Sequence, residues 1–196
     1  KFPTFYKFYL MGAACSASKS DHRRRTGSEF LKKGVLACLS PDDQGNDILS
    51  IELARVEESE SGPNKARSVL ELARMKLPKS QQLWLEAIRL EHRHENETLR
   101  ETLIARAKQE CGDHAGLIWA EDLLTCSKPA FKSKSVDALK KCDNDPHVIL
   151  AIARVFERDA KYDKARKWYQ RVCEMNPKLG DAWCYRYAFE VQQEAL

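Results

Sequence analysis

Glycine and proline are scarce in this chain, 8 and 7 of 196 residues. Sandwiches and barrels need a turn roughly every 8–12 residues, so so few turn formers argue against an all-β architecture. No C-x-x-C pair occurs among the seven cysteines (Cys15, Cys38, Cys111, Cys126, Cys142, Cys173, Cys184). Their odd number suits reduced thiols acting as small apolar fillers in an intracellular compartment, not a disulfide framework. No run of about 18 uncharged apolar residues exists, which excludes a membrane-spanning helix. Neither sign of charge dominates: 33 Lys and Arg against 29 Asp and Glu leave +4, too small a surplus to argue for wrapping nucleic acid or lying on an acidic membrane. G-x-x-x-x-G-K-[ST], G-x-G-x-x-G and G-x-S-x-G are absent, so neither a phosphate cradle nor a nucleophile elbow has its motif. The apolar run from Phe2 to Ala17 is interrupted by Lys7, and its basic residues follow it, against the order of a targeting segment. The chain begins without Met, as a piece of a longer protein would.

What is present is 43% hydrophobic residues, enough to bury a core, arranged with a period. Leu83 to Glu91 (LWLEAIRLE) and Ala182 to Glu190 (AWCYRYAFE) both run Trp, an apolar residue six positions on, then Glu: Trp84, Leu90, Glu91 and Trp183, Phe189, Glu190. Ser50 with Val56 and Glu57, and Leu150 with Phe156 and Glu157, keep the last two positions. Trp119 keeps the aromatic but has Cys126 in place of Glu. The anchors 50, 84, 119, 150 and 183 are spaced by 34, 35, 31 and 33 residues, a period that points to stacked supersecondary units.

A second element follows each anchor. Ala66-Arg67 leads to Ala73 and Pro78, and Ala165-Arg166 leads to Val172 and Pro177. Positions 66, 69, 70, 73 and 77 fall on one face of a helix, which the proline then stops. In the intervening unit Leu99, Leu103, Ile104 and Ala107 form the stripe, and Gly112 stands in for the proline. The prediction is an all-α solenoid of antiparallel helical hairpins, one array over 1–196. Its units are 1–46 (degenerate), 47–79, 80–113, 114–146, 147–178 and 179–196 (first helix only). Residues 1–46 are expected to place Phe5, Tyr6 and Phe8 to Leu10 on one helix and Phe30 to Leu39 on another, with Ser18 to Ser28 as a polar, basic loop. In the third unit the run Lys128 to Ser135 is expected to delay the second helix. The last apolar face, with Trp183, Tyr187 and Phe189, is expected to be exposed or covered by a missing partner helix, and prone to self-association or fraying.

The chemistry-bearing residues give little sign of catalysis. His92 and His94 are two apart on a helix end and point to different sides, a poor metal pair. Cys111 and His114 read as a core thiol and a surface histidine. Glu57, Glu91, Glu157 and Glu190 recur once per unit, which marks packing or hydrogen-bonding positions between helices, so neither enzyme activity nor a cofactor or metal is expected. Basic clusters occur at Arg23 to Arg25 with His22, and at Lys128, Lys132, Lys134, Lys140 and Lys141. Solvated helix or loop faces account for both, and phosphate or partner contact is the alternative use.

Units of this length, with Trp and Glu in the first helix and Ala-Arg then Pro in the second, resemble the half-a-TPR (HAT) repeats of RNA-processing proteins. Leu83 to Glu91, Lys134 to Asp145 with Pro146-His147-Val148, Lys164 to Arg171, and Leu179 to Trp183 are similar to the C-terminal repeats of the pre-mRNA-processing factor six family; Lys1-Phe2-Pro3 also fits. The resemblance implies a nuclear, non-catalytic scaffold in pre-mRNA splicing that bridges U5 with U4/U6 proteins in the tri-snRNP. Two other readings stay open: a HAT-type processing factor touching RNA directly, and a TPR co-chaperone that clamps acidic tails. The second would need basic residues where this chain has Glu57, Glu91, Glu157 and Glu190.

Overall fold

Apolar residues at three- and four-residue spacing turn each periodic stretch into a helix in the computed structural model of the chain. The structure describes residues 6–16, 21–37, 46–112 and 115–194. In order the helices are α1 (Tyr6–Ser16), α2 (Asp21–Ala37), α3 (Asn46–Ser61), α4 (Pro63–Lys76), α5 (Gln81–Arg93), α6 (Glu97–Cys111), α7 (Gly116–Thr125), α8 (Lys128–Lys141), α9 (Pro146–Arg158), α10 (Tyr162–Met175) and α11 (Gly180–Glu194). No strand occurs among the described residues.

The links between helices follow from a few residue choices. Pro63, Pro129 and Pro146 open α4, α8 and α9, where the missing N–H has no helical partner to lose. Leu77 and Asn176, each just ahead of a proline, leave the helical region at φ −125° and −135°. In the links between helices, Glu95, Asn144 and Ala160 take positive φ, and the next helix start is tied back by Asn96 N–H to Glu91 C=O and Lys161 N–H to Phe156 C=O. Asn144 N–H itself closes on Leu139 C=O. These six-residue closures satisfy carbonyls that a helix end would leave unpaired. Gly112, at φ +57°, ends α6 in the conformation that glycine adopts without a Cβ penalty.

The chain divides into two compact units, Lys1–Glu110 and Cys111–Leu196. In the first, α1 packs on α2, α2 on α3, α3 on α4 and α4 on α5, while α3 also meets α5. Leu31, Leu49 and Leu53 form a core there with Tyr6, Tyr9, Leu10 and Val35. In the second unit, α7 meets α8 and α9, α8 meets α9, α9 meets α10 and α10 meets α11. Ala120, Leu123, Ala138, Val148 and Ile152 fill one cluster; Ile149, Ala165, Tyr169, Val172, Ala182 and Phe189 fill the next. Both units obey one rule. The first helix of a hairpin touches the first helix of the following one (α3 with α5, α7 with α9), and so does the second (α4 with α5, α8 with α9, α10 with α11). That is the all-α, HAT/TPR-like stacking of hairpins that the period predicts, because no hairpin buries its apolar face alone.

Three local expectations are corrected. Helix α8 starts at Lys128, not late: Ser127 is extended (φ −70°, ψ 151°) and Pro129 sits in the first turn, so the basic run rides on the helix. Helix α2 starts at Asp21, so most of the stretch from Ser18 to Ser28 is helical. Phe189 is buried against Tyr169, with ring centroids 5.4 Å apart, although Trp183 and Tyr187 of the same helix are exposed. Lys1 to Phe5, Cys38, Leu39 and His114 lie outside the described residues, as do the side chains of Cys15 and of His22 to Arg25.

Candidate functional site

Two bonds recur wherever the full motif does. Trp84 of α5 is buried, and its indole N–H donates to the Pro78 carbonyl at 2.7 Å. The Arg74 guanidinium lies 4.5 Å from its ring centroid, a cation–π placement. Trp183 of α11 repeats the bond to Pro177 C=O at 3.0 Å, with its ring left exposed. Proline ends one hairpin and leaves a carbonyl turned toward the next, and the indole N–H satisfies it. The second bond is a bidentate ion pair. Arg67 of α4 donates through Nε and Nη2 to Glu91 of α5 at 2.7 and 2.8 Å, and Arg166 of α10 does the same to Glu190 of α11 at 3.0 Å. Both pairs span 24 residues. The Glu91 carboxylate, only 1% exposed, holds the Arg67 guanidinium above its ordinary pKa. Ala66 and Ala165 beside these arginines are buried, as are Ala73, Leu90 and Phe189, which fixes the helix faces so that Arg and Glu meet.

The units without the full motif keep the position and change its residue or its partner. Glu57 of α3 pairs with Lys32 at 2.7 Å and accepts from Ser28 at 3.3 Å; the Lys32 hydrogen bond holds its carboxyl below the usual range. Glu157 of α9 accepts from the Tyr169 hydroxyl at 2.5 Å; burial first, and this carboxylate second, push the Tyr169 pKa well up. Cys126, standing where Glu would be, is buried and donates to Leu123 C=O at 3.2 Å, and burial raises its thiol pKa. Trp119 and Phe156 are half-buried against the α7–α9 cluster, and Leu150 lies in the core against α10.

The predicted lysines do not gather as one patch. Lys134 pairs with Asp122 of α7 at 2.7 Å. Lys140 and Lys141 are exposed in the last turn of α8, where they complement the helix dipole. Lys128 and Lys132 are joined by Lys161 and Lys164 around a cleft beside Phe131 and Phe156. Among the described residues no three His, Cys, Asp or Glu side chains gather as a metal set, and His94 faces Glu58 at 2.9 Å. No helix among them is long and apolar enough to cross a membrane.

One ion network was not anticipated. Arg55 of α3 reaches Glu86 of α5 at 2.8 Å, while Arg93 of α5 bridges Glu86 at 3.0 Å and Glu58 of α3 at 2.7 Å. Burial opposes ionisation of Glu86, but the two guanidiniums outweigh it and its pKa falls; Arg93 lowers that of Glu58. The available signal was opposite charges one repeat apart, Arg55 with Glu86 and Glu58 with Arg93. Carboxylates held in this way by Arg are poor candidates for proton transfer, and they serve instead to join consecutive hairpins.

No family model matches the chain. Individual relatives do. Pre-mRNA-splicing factor prp1 of Schizosaccharomyces pombe is 37% identical over 144 residues, 72% of this chain and 16% of that protein. Human pre-mRNA-processing factor 6 is 50% identical over 66 residues, 34% of this chain and 7% of that protein. Pre-mRNA-splicing factor 6 of Saccharomyces cerevisiae is 28% identical over 145 residues, 71% of this chain and 16% of that protein. The chain thus spans less than a fifth of the length of the curated relatives it matches.

Proposed function

Because the chain belongs to the pre-mRNA-splicing factor 6 family, we propose that it acts in nuclear pre-mRNA splicing as a non-catalytic protein scaffold. Its partners in this reading are proteins of the U5 and U4/U6 particles, which it bridges in the tri-snRNP. The division into repeats at 47–79, 80–113, 114–146, 147–178 and 179–196 belongs to the same reading, with 1–46 as a degenerate first unit.

The observation that carries it is the repeated clamp. The recurring acidic positions Glu91 and Glu190 bind the arginine of the preceding hairpin, so the residues most suited to chemistry build the support on which partner surfaces can be displayed. The prominence of Glu on the first helices also fits poorly with a clamp for acidic tails.

The test is recovery of particles from nuclear extract on the tagged chain, with the bound RNAs identified by primer extension. Co-enrichment of U5 with U4 and U6 RNA, lost after digestion of the protein partners but not after RNase treatment of the bait, is the expected result. Recovery of chaperones without these RNAs would overturn the assignment.

A further inference from the structure

The cleft beside α8 is the feature of the second unit that the clamps leave unexplained. It has a volume of about 570 Å³ and is lined by Lys128, Phe131, Lys132, Phe156, Lys161 and Lys164, with Ser135 and Asp159 completing its wall. Phe131 and Phe156 meet edge to face, centroids 5.7 Å apart at 84°, and form an apolar floor continuous with the α7–α9 core. Lys161 and Lys164 place their ammonium groups 5.9 Å from the Phe156 centroid. Four cations therefore face one carboxylate. Asp159 draws in Lys128 and Lys161 at 3.6 and 3.7 Å, and the Arg158 Nε lies 3.9 Å from it. Lys132 and Lys164 have no carboxylate within ion-pair distance among the described residues.

We infer that this cleft docks a partner protein through an acidic peptide segment bearing an apolar or aromatic side chain, the apolar group over Phe131 and Phe156 and the carboxylates toward Lys132 and Lys164. Charge complementarity sets the sign of the occupant, since a lysine-rimmed hollow in a chain of nearly balanced charge attracts carboxylates. The floor sets its class. A base of single-stranded RNA needs a flat, open ring to stack on. Here the two phenyl rings are edge to face, and Phe156 is further occupied by Trp168, 6.4 Å away, and by the two lysines. The cations that line the cleft are all lysine, and the neighbouring Arg158 guanidinium is engaged by the Leu124 carbonyl and Asp159, so no guanidinium lines it to hold a phosphate through two parallel bonds.

Fluorescence anisotropy with the 196-residue chain tests this. The probes are a fluorescein-labelled peptide of sequence EELFDEE, a KKLFKKK control and a ten-residue uridine RNA. Saturable binding of the acidic peptide with Kd on the order of 10–100 μM is expected, weakening about tenfold in the Lys132→Glu, Lys164→Glu double variant and weakening with added salt. The control peptide and the RNA should show no binding that depends on these lysines. Both substituted residues are exposed, so the circular dichroism melt should be unchanged. If it is not, the Lys132→Gln, Lys164→Gln pair replaces them with the same expected direction. Absent peptide binding, peptide binding indifferent to the substitutions, or RNA that displaces the peptide and shares its lysine dependence would each overturn the inference.

Discussion

At the scale of single residues, one motif has two different energies. Arg67 and Arg166 make the same bidentate bond to a Glu 24 residues on, but Glu91 is 1% exposed while the Glu190 side chain is 33% exposed. Removing Arg67 leaves a carboxylate that water cannot reach. Arg67→Ala should therefore cost about 2 kcal/mol, below the full penalty for breaking a buried pair because Arg67 is itself about a third exposed. Arg166→Ala leaves its Glu in reach of water and should shift the urea midpoint by much less. Urea titrations of the two variants check this, and equal shifts would show that burial of the acceptor does not set the strength of the clamp. The motif residues were legible in the sequence because they recur. The difference between the two clamps was not, because exposure depends on neighbours that the motif does not contain.

At the scale of elements, the packing of α7 against α9 turns on Gly116, the first residue of α7. A Cβ there would stand 2.4 Å from Cγ of Asp145. Asp145 is the N-cap of α9, its side chain accepting from His147 N–H at 2.8 Å. Gly116→Ala should displace this carboxylate and cost about 1–2 kcal/mol, matching Asp145→Ala. The double variant should lose little more than either single one, since both act on one cap. Chemical denaturation of the three variants decides it, and additive losses would count against the shared cause. Element positions were legible where apolar spacing and proline agreed, as from Pro63 to Pro78. The starts of α2 and α8 were not, because both begin in polar, basic residues whose helical state depends on the packing of later turns. The lysine cleft was illegible for a related reason: Lys132 and Lys164 come from different hairpins, and only the packing of α8 and α10 around α9 brings them to one rim.

At the scale of the whole molecule, the two compact units should fail at opposite ends of the pH range. Glu57, Glu58 and Glu86, all in the first unit, have pKa values below the ordinary 4.5, with Lys32, Arg93 and Arg55 as the cations that win over burial. A carboxyl with a lowered folded pKa contributes its stability above the unfolded value, and that contribution fades as pH falls through the folded value. The first unit should weaken below about pH 4.5. Tyr169 lies in the second unit, and its pKa is raised above the ordinary 10 by burial and by Glu157. The stability it confers is whole below the unfolded pKa and declines as pH rises past it, because unfolding then releases a proton that the folded state retains. The second unit should weaken above about pH 10. Methyl NMR during urea unfolding can read the units separately, through Ile88 in the first and Ile149 and Ile152 in the second, all buried. From about pH 7 to pH 4 the Ile88 midpoint should fall more than that of Ile149. From about pH 8 to pH 11 the order should reverse. A single midpoint shared by all three methyls at each pH would mean that the units unfold as one body and that neither titration is local.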